Sequence, residues 1–262
     1  MRLLPFLAAM LIGMVVAKPP QARATPKRAL RLMTYNVNYG NPDLASTIAA
    51  IAKADVDVVL LQEITSEWKR ALEQHFATKY PYAMYRIHTR AAGGLAVLSK
   101  LSIESEELFP SPNRGWFPAE RLVLTTNEGP LQILHVHLRP AIDGGSWIRG
   151  FMTTPPLRRR EIESYWRNIV KDMPTIVAGD FNEDPSGSAL AFLARQGLSR
   201  VATEGPTTWR YQITSRGQTS DLIKLDIDHV MVDARLVARD GHVLDAGSSD
   251  HRPVIVTIEP RA

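Results

Sequence analysis

The sequence predicts a layered α/β domain built on mixed, largely antiparallel β-structure. Three observations carry this. From Leu30 onward, apolar strand-like runs alternate with helix-like ones, the pattern of packed layers. Between Tyr82 and Leu138 the strand-like runs follow one another with little helix between them, which requires antiparallel pairing and excludes a purely parallel, doubly wound sheet. A chain of 262 residues with 45% apolar content can also bury a substantial core. No internal repeat, low-complexity tract or interdomain linker is present, so residues 25–262 read as one domain.

The first 24 residues stand apart from that domain. Arg2 precedes LLPFLAAMLIGMVVA, an apolar stretch of signal-peptide length that is short for a membrane span. Small-residue cleavage patterns follow at Val15-Val16-Ala17 and Ala22-Arg23-Ala24. Residues 1–24 therefore read as an export signal, giving a periplasmic or secreted product, with an uncleaved anchor as the alternative. The chain has no Cys for lipid attachment or a disulfide, so an exported domain relies on its core alone.

Within the domain, Leu30 to Val37 reads as the first strand. Asp43 can cap a helix running to about Ala54, and Val56 to Leu61 is a buried strand ending at Gln62-Glu63. A helix from about Ser66 to Ala77 follows, then strands near Tyr82 to Ile87, Leu95 to Ser99, Arg121 to Thr126 and Leu131 to Leu138. Arg139 to Pro156 is a long connection with Gly and Pro, of a length that usually serves a site. A helix from about Leu157 to Lys171, a strand from Val177 to Phe181 and a helix from about Ser186 to Arg195 come next. Strands at Ile227 to Val232 and Val254 to Ile258 complete the order.

The sequence pI of about 9.4 suggests a nucleic-acid partner until the export segment is set aside. That segment holds Arg2, Lys18 and Arg23 and no acid, so the 31 basic residues less those three leave 28 against 27 acidic, a net of +1. Global charge then gives no argument for DNA. Arg158, Arg159 and Arg160 form the densest basic run, but helical spacing scatters them around an axis, as on a solvated face.

Polar, metal-competent residues recur where apolar strands end, which is where open α/β sheets place ligands. They are Asn36, Glu63, His137, Asp180, Asn182, Asp228, and the neighbours Asp250 and His251. VAGDFNEDP is the most specific of these segments. Gly179 lets the chain turn closely, and on an extended backbone Asp180 and Asn182 would face one side together. A carboxylate there can take a proton from water or bind a hard cation, and an amide can donate to a phosphate oxygen. The competing reading is a turn in which Asp and Asn bond their own backbone.

Six blocks in order, TYNVN (34–38), LLQE (60–63), HVHL (135–138), GDFNEDPSG (179–187), IDHVMV (227–232) and SSDHRPV (248–254), resemble the motifs of the endonuclease/exonuclease/phosphatase superfamily. The resemblance spans residues 30–260. It implies a DNase I-like four-layer sandwich, αββα, with two mixed β-sheets between helices, and divalent-metal-dependent cleavage of phosphate esters. By the same resemblance Glu63 is the main metal carboxylate, Asn36 lies beside it, and Asp250 is a second ligand or an orienter. Such an oxygen-rich set suits Mg²⁺ or Mn²⁺. Asp180 would orient or deprotonate the attacking water, Asn182 would bond a nonbridging oxygen, and His137 and His251 would stabilise the transition state, with Asp228 holding His251. His135, His229 and Glu183 match no functional position and read as structural.

The histidine-bearing block separates branches of the family. Abasic-site endonucleases carry a Pro-Asn tract where this chain has HVHLRP, and inositol polyphosphate 5-phosphatases carry a Cys-containing signature that a chain without Cys lacks. The DNase I group supports its histidine with a Glu in the strand block that here reads AAGGLAVLS (91–99), which offers small and apolar residues only. The leading expectation is a nuclease-type phosphodiesterase. A sphingomyelinase-like lipid phosphodiesterase or phosphatase is the alternative, and a noncatalytic protein keeping the fold is disfavoured because every matched position is filled. Partners are accordingly a nucleic acid or another phosphodiester, with a phospholipid interface as a further option, no obligate protein partner, and a monomer. Trp116, Phe117, Trp147, Phe151, Trp209 and Tyr211, with Arg114, Arg149 and Arg210 near them, suit base stacking and a lipid interface alike.

Overall fold

The computed structural model describes residues 29–112, 115–215 and 217–261; the export segment expected over residues 1–24, and Arg114, lie outside them. Strand β1 (Leu30–Asn36), helix α1 (Leu44–Ala54) and strand β2 (Val58–Gln62) form a crossover unit, with β1 and β2 parallel and Asn36 opposite Gln62. Asp43 caps α1 by accepting from the Ser46 amide, and Thr65 caps α2 (Ser66–Phe76) by accepting from that of Trp68. β3 (Tyr82–Arg86) and β4 (Leu95–Ser99) pair antiparallel, β4 lying against β2. β5 (Ile103–Phe109), β6 (Ala119–Thr126) and β7 (Gly129–His137) then form an antiparallel meander.

Helices α3 (Trp147–Thr153) and α4 (Pro155–Trp166) lead to β8 (Thr175–Asp180), which runs parallel to β7 with Asp180 opposite His137. α5 (Ser188–Arg195) and the short β9 (Leu198–Arg200) follow. β10 (Trp209–Ser215) and β11 (Gln218–Leu225) make a separate hairpin. β12 (Asp228–Asp233) joins β8, and the chain returns to the first sheet through β13 (Leu236–Val243) and β14 (Val254–Pro260). The two large sheets are six-stranded, in the orders β13-β14-β1-β2-β4-β3 and β5-β6-β7-β8-β12-β9.

Strand alternation divides the interior into three cores and hence four layers. Leu32, Val58 and Leu60 face Ile133, Ile176 and Val230 between the sheets. Their neighbours Met33, Tyr35, Val59 and Leu61 point the other way, onto Ile48 and Ile51 of α1 and Trp68 and Leu72 of α2. On the far side Leu134, Val136 and Val177 meet Ile162 and Tyr165 of α4 and Leu190 and Leu193 of α5. Both faces of the central strands are covered, which is why they read as unbroken apolar runs. Truncating one such side chain, Leu60 for example, costs about 2–5 kcal/mol.

The predicted αββα sandwich is therefore observed, with mixed sheets and antiparallel pairs in the majority. Four differences stand out. The long connection contains α3, and the helix after it starts at Pro155 and ends at Trp166 rather than reaching Lys171. β5, β9, β13 and the β10–β11 hairpin add strands that the apolar pattern leaves unmarked. Arg158 is buried rather than solvated, with its Nε 3.0 Å from Glu183 Oε1. Finally, the GDFN segment leaves the extended conformation at Asn182, whose φ is 52°.

Candidate active site

Among the described residues each large sheet has one parallel strand pair, β1–β2 and β7–β8. The carboxyl ends of these pairs meet. Asn36 ends β1 and Glu63 follows β2, while His137 ends β7 and Asp180 ends β8. Gly179 makes the approach close: its φ is 147°, and a Cβ there would lie 1.8 Å from the Val136 carbonyl oxygen. Glu63 and Asn182 hold left-handed backbone, with φ of 67° and 52°, and strain of this kind in residues with side chains gathers at working sites.

At the site the Asn36 amide joins the two sheets. Asn36 Nδ2 donates to Glu63 Oε1 and to Asp180 Oδ2, each at 3.0 Å. Asp180 Oδ2 also lies 3.5 Å from His137 Nε2 and 3.7 Å from His251 Nε2, so the carboxylate sits between two imidazoles. His251 Nδ1 is 2.8 Å from Asp228 Oδ2, the orienting contact expected of that pair. Asp180 Oδ1 accepts from the Asn182 amide at 2.8 Å, so the Asx turn of the competing reading is present at this residue, while Oδ2 faces the cluster. Asn182 Nδ2 donates to Leu138 O at 2.9 Å, leaving its second N–H for a ligand.

Burial sets the protonation of this group. It pushes Glu63 upward and, joined by the charge of Asp228, raises Asp180 to about 7. Burial alone would lower His251, but the Asp228 and Asp180 carboxylates outweigh it and push the imidazole up to about 10. No carboxylate is hydrogen-bonded to His137 as Asp228 is to His251, Asp180 lying 3.5 Å from its Nε2. Burial, with the charges of His251 and His135, lowers it to about 3, so it is neutral. Among the described residues no Lys or Arg forms an ion pair with Glu63, Asp180, Asp228 or Asp250, and their imidazole partners are His137 and His251.

Asp250 is placed differently from the rest. Its oxygens accept from Asn38 Nδ2 at 2.8 Å and Trp209 Nε1 at 2.9 Å, which is the geometry of an orienter. The cluster whose ligand atoms lie within 4.8 Å of one another is Asp180, Asp228 and His251. Three contributors went unread in the sequence. Asn38 has a φ of 60° and stands two residues from Asn36, a spacing that marks it as a neighbour. Ser249 Oγ donates to Asn36 O at 2.8 Å and accepts from the His251 amide at 3.1 Å, and Thr208 Oγ1 accepts from the Asp228 amide at 3.1 Å.

His135, His229 and Glu183 are buried and held by hydrogen bonds within the fold, and Glu183 also borders the cleft. His135 lies between the sheets, its Nδ1 2.8 Å from Glu120 Oε1 and its Nε2 2.6 Å from Gln62 Nε2. His229 Nε2 is 2.9 Å from Glu183 O, and the Glu183 carboxylate accepts from Arg158, Ser188 and Ala189.

The site floors a cleft of about 710 Å³. All six aromatics singled out in the sequence, Trp116, Phe117, Trp147, Phe151, Trp209 and Tyr211, line it. Phe117 stacks on His137 with ring centres 4.2 Å apart, and Trp147 stacks on Trp209 at 5.9 Å. Trp116 lies under the Arg139 guanidinium at 4.2 Å. Arg149 is paired with Asp143 outside the cleft lining. A second groove of about 720 Å³ between β9 and β13 contains none of the predicted site residues.

Residues 33–251 match the endonuclease/exonuclease/phosphatase family. The inositol phosphosphingolipids phospholipase C of Saccharomyces cerevisiae is 34% identical over 159 residues, which are 54% of this chain and 33% of that protein. The match thus spans about a third of the curated relative's length. Solved structures that share the fold include three of named proteins. Sphingomyelinase C from Streptomyces griseocarneus has 19% identity and a TM-score of 0.64, covering 88% of this chain and 99% of its own. The human Nocturnin catalytic domain has 15% identity and a TM-score of 0.66, covering 89% and 95%. Beta toxin from Staphylococcus aureus, with bound magnesium ions, has 17% identity and a TM-score of 0.64, covering 89% and 100%.

Proposed function

The chain belongs to the endonuclease/exonuclease/phosphatase family, and from that membership we propose that it is a divalent-metal-dependent phosphodiesterase acting on a phospholipid. The lining of the cleft carries the choice of substrate. Among the described residues its one guanidinium or ammonium is Arg158, committed to Glu183, while aromatic and aliphatic side chains form most of the wall. A nucleic acid needs cations along its phosphate track, whereas a lipid ester brings apolar surface to such a wall. The name of the yeast relative, a phospholipase C, supports the same choice over the nuclease that the motifs first suggested.

The residues fit a hard cation. Four carboxylates, the buried Asp180 and Asp228 and the half-buried Glu63 and Asp250, gather around the single imidazolium of His251, an excess of acidic groups over basic ones. Glu63, with Asn36 beside it, would hold Mg²⁺ or Mn²⁺, which when bound supplies positive charge to a nonbridging phosphate oxygen. Asp180, raised to about 7, is suited to orient the attacking water and take its proton. His251, kept protonated by Asp228, donates to the charge that develops on phosphorus oxygens, and Asn182 uses its remaining N–H likewise. His137 contributes an uncharged imidazole on the other side of Asp180.

The test is turnover of sphingomyelin, plasmid DNA, RNA and bis(p-nitrophenyl) phosphate with Mg²⁺ and with EDTA. Lipid hydrolysis lost in EDTA, in Asp180→Ala and in His251→Ala is expected. Nicking of DNA without lipid turnover would overturn the substrate reading, and hydrolysis unaffected by either substitution would overturn the site. Export belongs to the same proposal: the mature N terminus should lie near Lys18 or Thr25 by mass spectrometry, and intact Met1 in a membrane fraction would point to an anchor.

A further inference from the structure

We infer that the mouth of the cleft is a bilayer-docking face made by α3 and the β10–β11 hairpin, an inference that rests on the lipid reading above. Within α3 the buried residue is Gly150, set so tightly that a Cβ would lie 2.3 Å from the Ala141 carbonyl carbon. The rest of the helix turns outward. Trp147 and Phe151, four residues apart, line the cleft. The next stripe, Ile148 and Met152, is 81% and 78% exposed. The hairpin forms a sheet of its own and exposes Tyr211, Ile213, Leu222 and Ile223. Stacking of Trp147 on Trp209 ties the two projections together at the cleft. Exposed apolar patches of this kind mark surfaces that meet a partner.

The position of the patch selects the partner. Trp147, Phe151 and Tyr211 belong to both the patch and the cleft wall, so a second copy or a rigid protein seated there would stopper the opening. A bilayer that contains the substrate covers the same residues and delivers the ester. Charge agrees. The described residues of 140–153 and 209–225 include Arg149, Arg210 and Lys224 against Asp143 and Asp221, a positive balance on a domain, residues 25–262, whose net charge is +1. Both acids are neutralised in place, Asp143 by Arg149 and Asp221 by Lys224, each at 3.2 Å.

The chain lacks Cys, so single labelling sites can be introduced in the full chain. An environment-sensitive fluorophore on Ile148→Cys or Leu222→Cys should brighten and shift to the blue with equimolar phosphatidylcholine–phosphatidylserine vesicles in EDTA, while Leu108→Cys on β5 should not. Ile148→Glu combined with Met152→Glu should slow hydrolysis of vesicle lipid by about tenfold or more and spare bis(p-nitrophenyl) phosphate, because two large apolar side chains no longer enter the interface. No response at Ile148, an equal response at Leu108, or unchanged vesicle turnover in the double variant would overturn the proposal. A shift that tracks protein concentration without vesicles would assign the face to a second copy and overturn it too. A vesicle response at Ile148 and Leu222 with no lipid hydrolysed would keep the docking face and remove the substrate reading.

Discussion

Replacing Phe117 with Leu removes the ring that holds His137 while leaving every acid–base group in place. His137 has little else to fix it. Its Nδ1 makes no hydrogen bond of normal geometry, the Ala92 backbone being a weaker partner, and its Nε2 is 3.5 Å from Asp180. The orienting surface is Phe117, whose ring lies 4.2 Å away at 27° and whose carbonyl is anchored by the Tyr165 hydroxyl at 2.7 Å. An aromatic pair contributes about 0.5–1.5 kcal/mol beyond the area it buries. If that orientation is spent wholly in the transition state, kcat falls roughly 2- to 12-fold at 1.36 kcal/mol per decade. Folding should survive, since shortening a buried side chain by this much costs on the order of 1–2 kcal/mol. The assay is kcat and KM on bis(p-nitrophenyl) phosphate at saturating Mg²⁺, with a thermal melt alongside. Phe117→Tyr, which keeps the ring, should stay near the parent. A Leu variant with parental kcat, or a Tyr variant that falls equally, would refute the positioning role.

Asp228→Asn should lower kcat and move the alkaline limb of the pH–rate profile to lower pH, because His251 loses the largest influence raising it to about 10. Glu63→Ala should raise the Mg²⁺ concentration giving half-maximal activity and weaken Mn²⁺ binding in calorimetry; matching curves for variant and parent would reject Glu63 as a ligand. Glu161 tests linkage away from the chemistry. Burial raises its carboxyl from 4.5 to about 7, so the folded state retains a proton that the unfolded chain loses. The stabilisation is complete below 4.5 and is lost as pH rises through 7, up to about 3 kcal/mol, and chemical denaturation of Glu161→Gln should show a shallower fall than the parent over that window, the remainder belonging to groups such as Asp180.

Strands with both faces covered announced themselves in the sequence, and so did the polar residues at their ends. The elements that escaped share a physical cause. In β5 only Phe109 is buried, so IESEELF carries no apolar rhythm. The β10–β11 hairpin lies outside both large sheets and is exposed along most of its length, which removes the alternation that marks a half-buried strand. In β13 the register shifts between Arg239 and His242, where Asp240 has a φ of 51°, and ARDGH reads as a turn. α3 is short and contains Gly150, a residue that weakens a helix unless packing requires it, and here packing does. Arg158 was misread for a related reason: charge predicts solvent unless a buried partner exists, and Glu183 stands 25 residues away in sequence.

Convergence of the site was beyond any local pattern because it belongs to the seam between two sheets. Asn36 and Asp180 are 144 residues apart and meet only because each sheet places its parallel pair where the other does. The returning C-terminal strands close the seam: β12 starts at Asp228 in the second sheet, and β14 begins just after His251 in the first, so the Asp228–His251 contact also spans the two. Asn36 is held for this task, its Oδ1 accepting from the Asn38 amide and its carbonyl from Ser249. Its Nδ2 then faces a carboxylate from each sheet, and without that donor Glu63 and Asp180 would confront each other unscreened in a buried space. A divalent cation would relieve the same repulsion. Holding the proposed metal and holding the sheets together would be, at this seam, one electrostatic problem with the same residues in it.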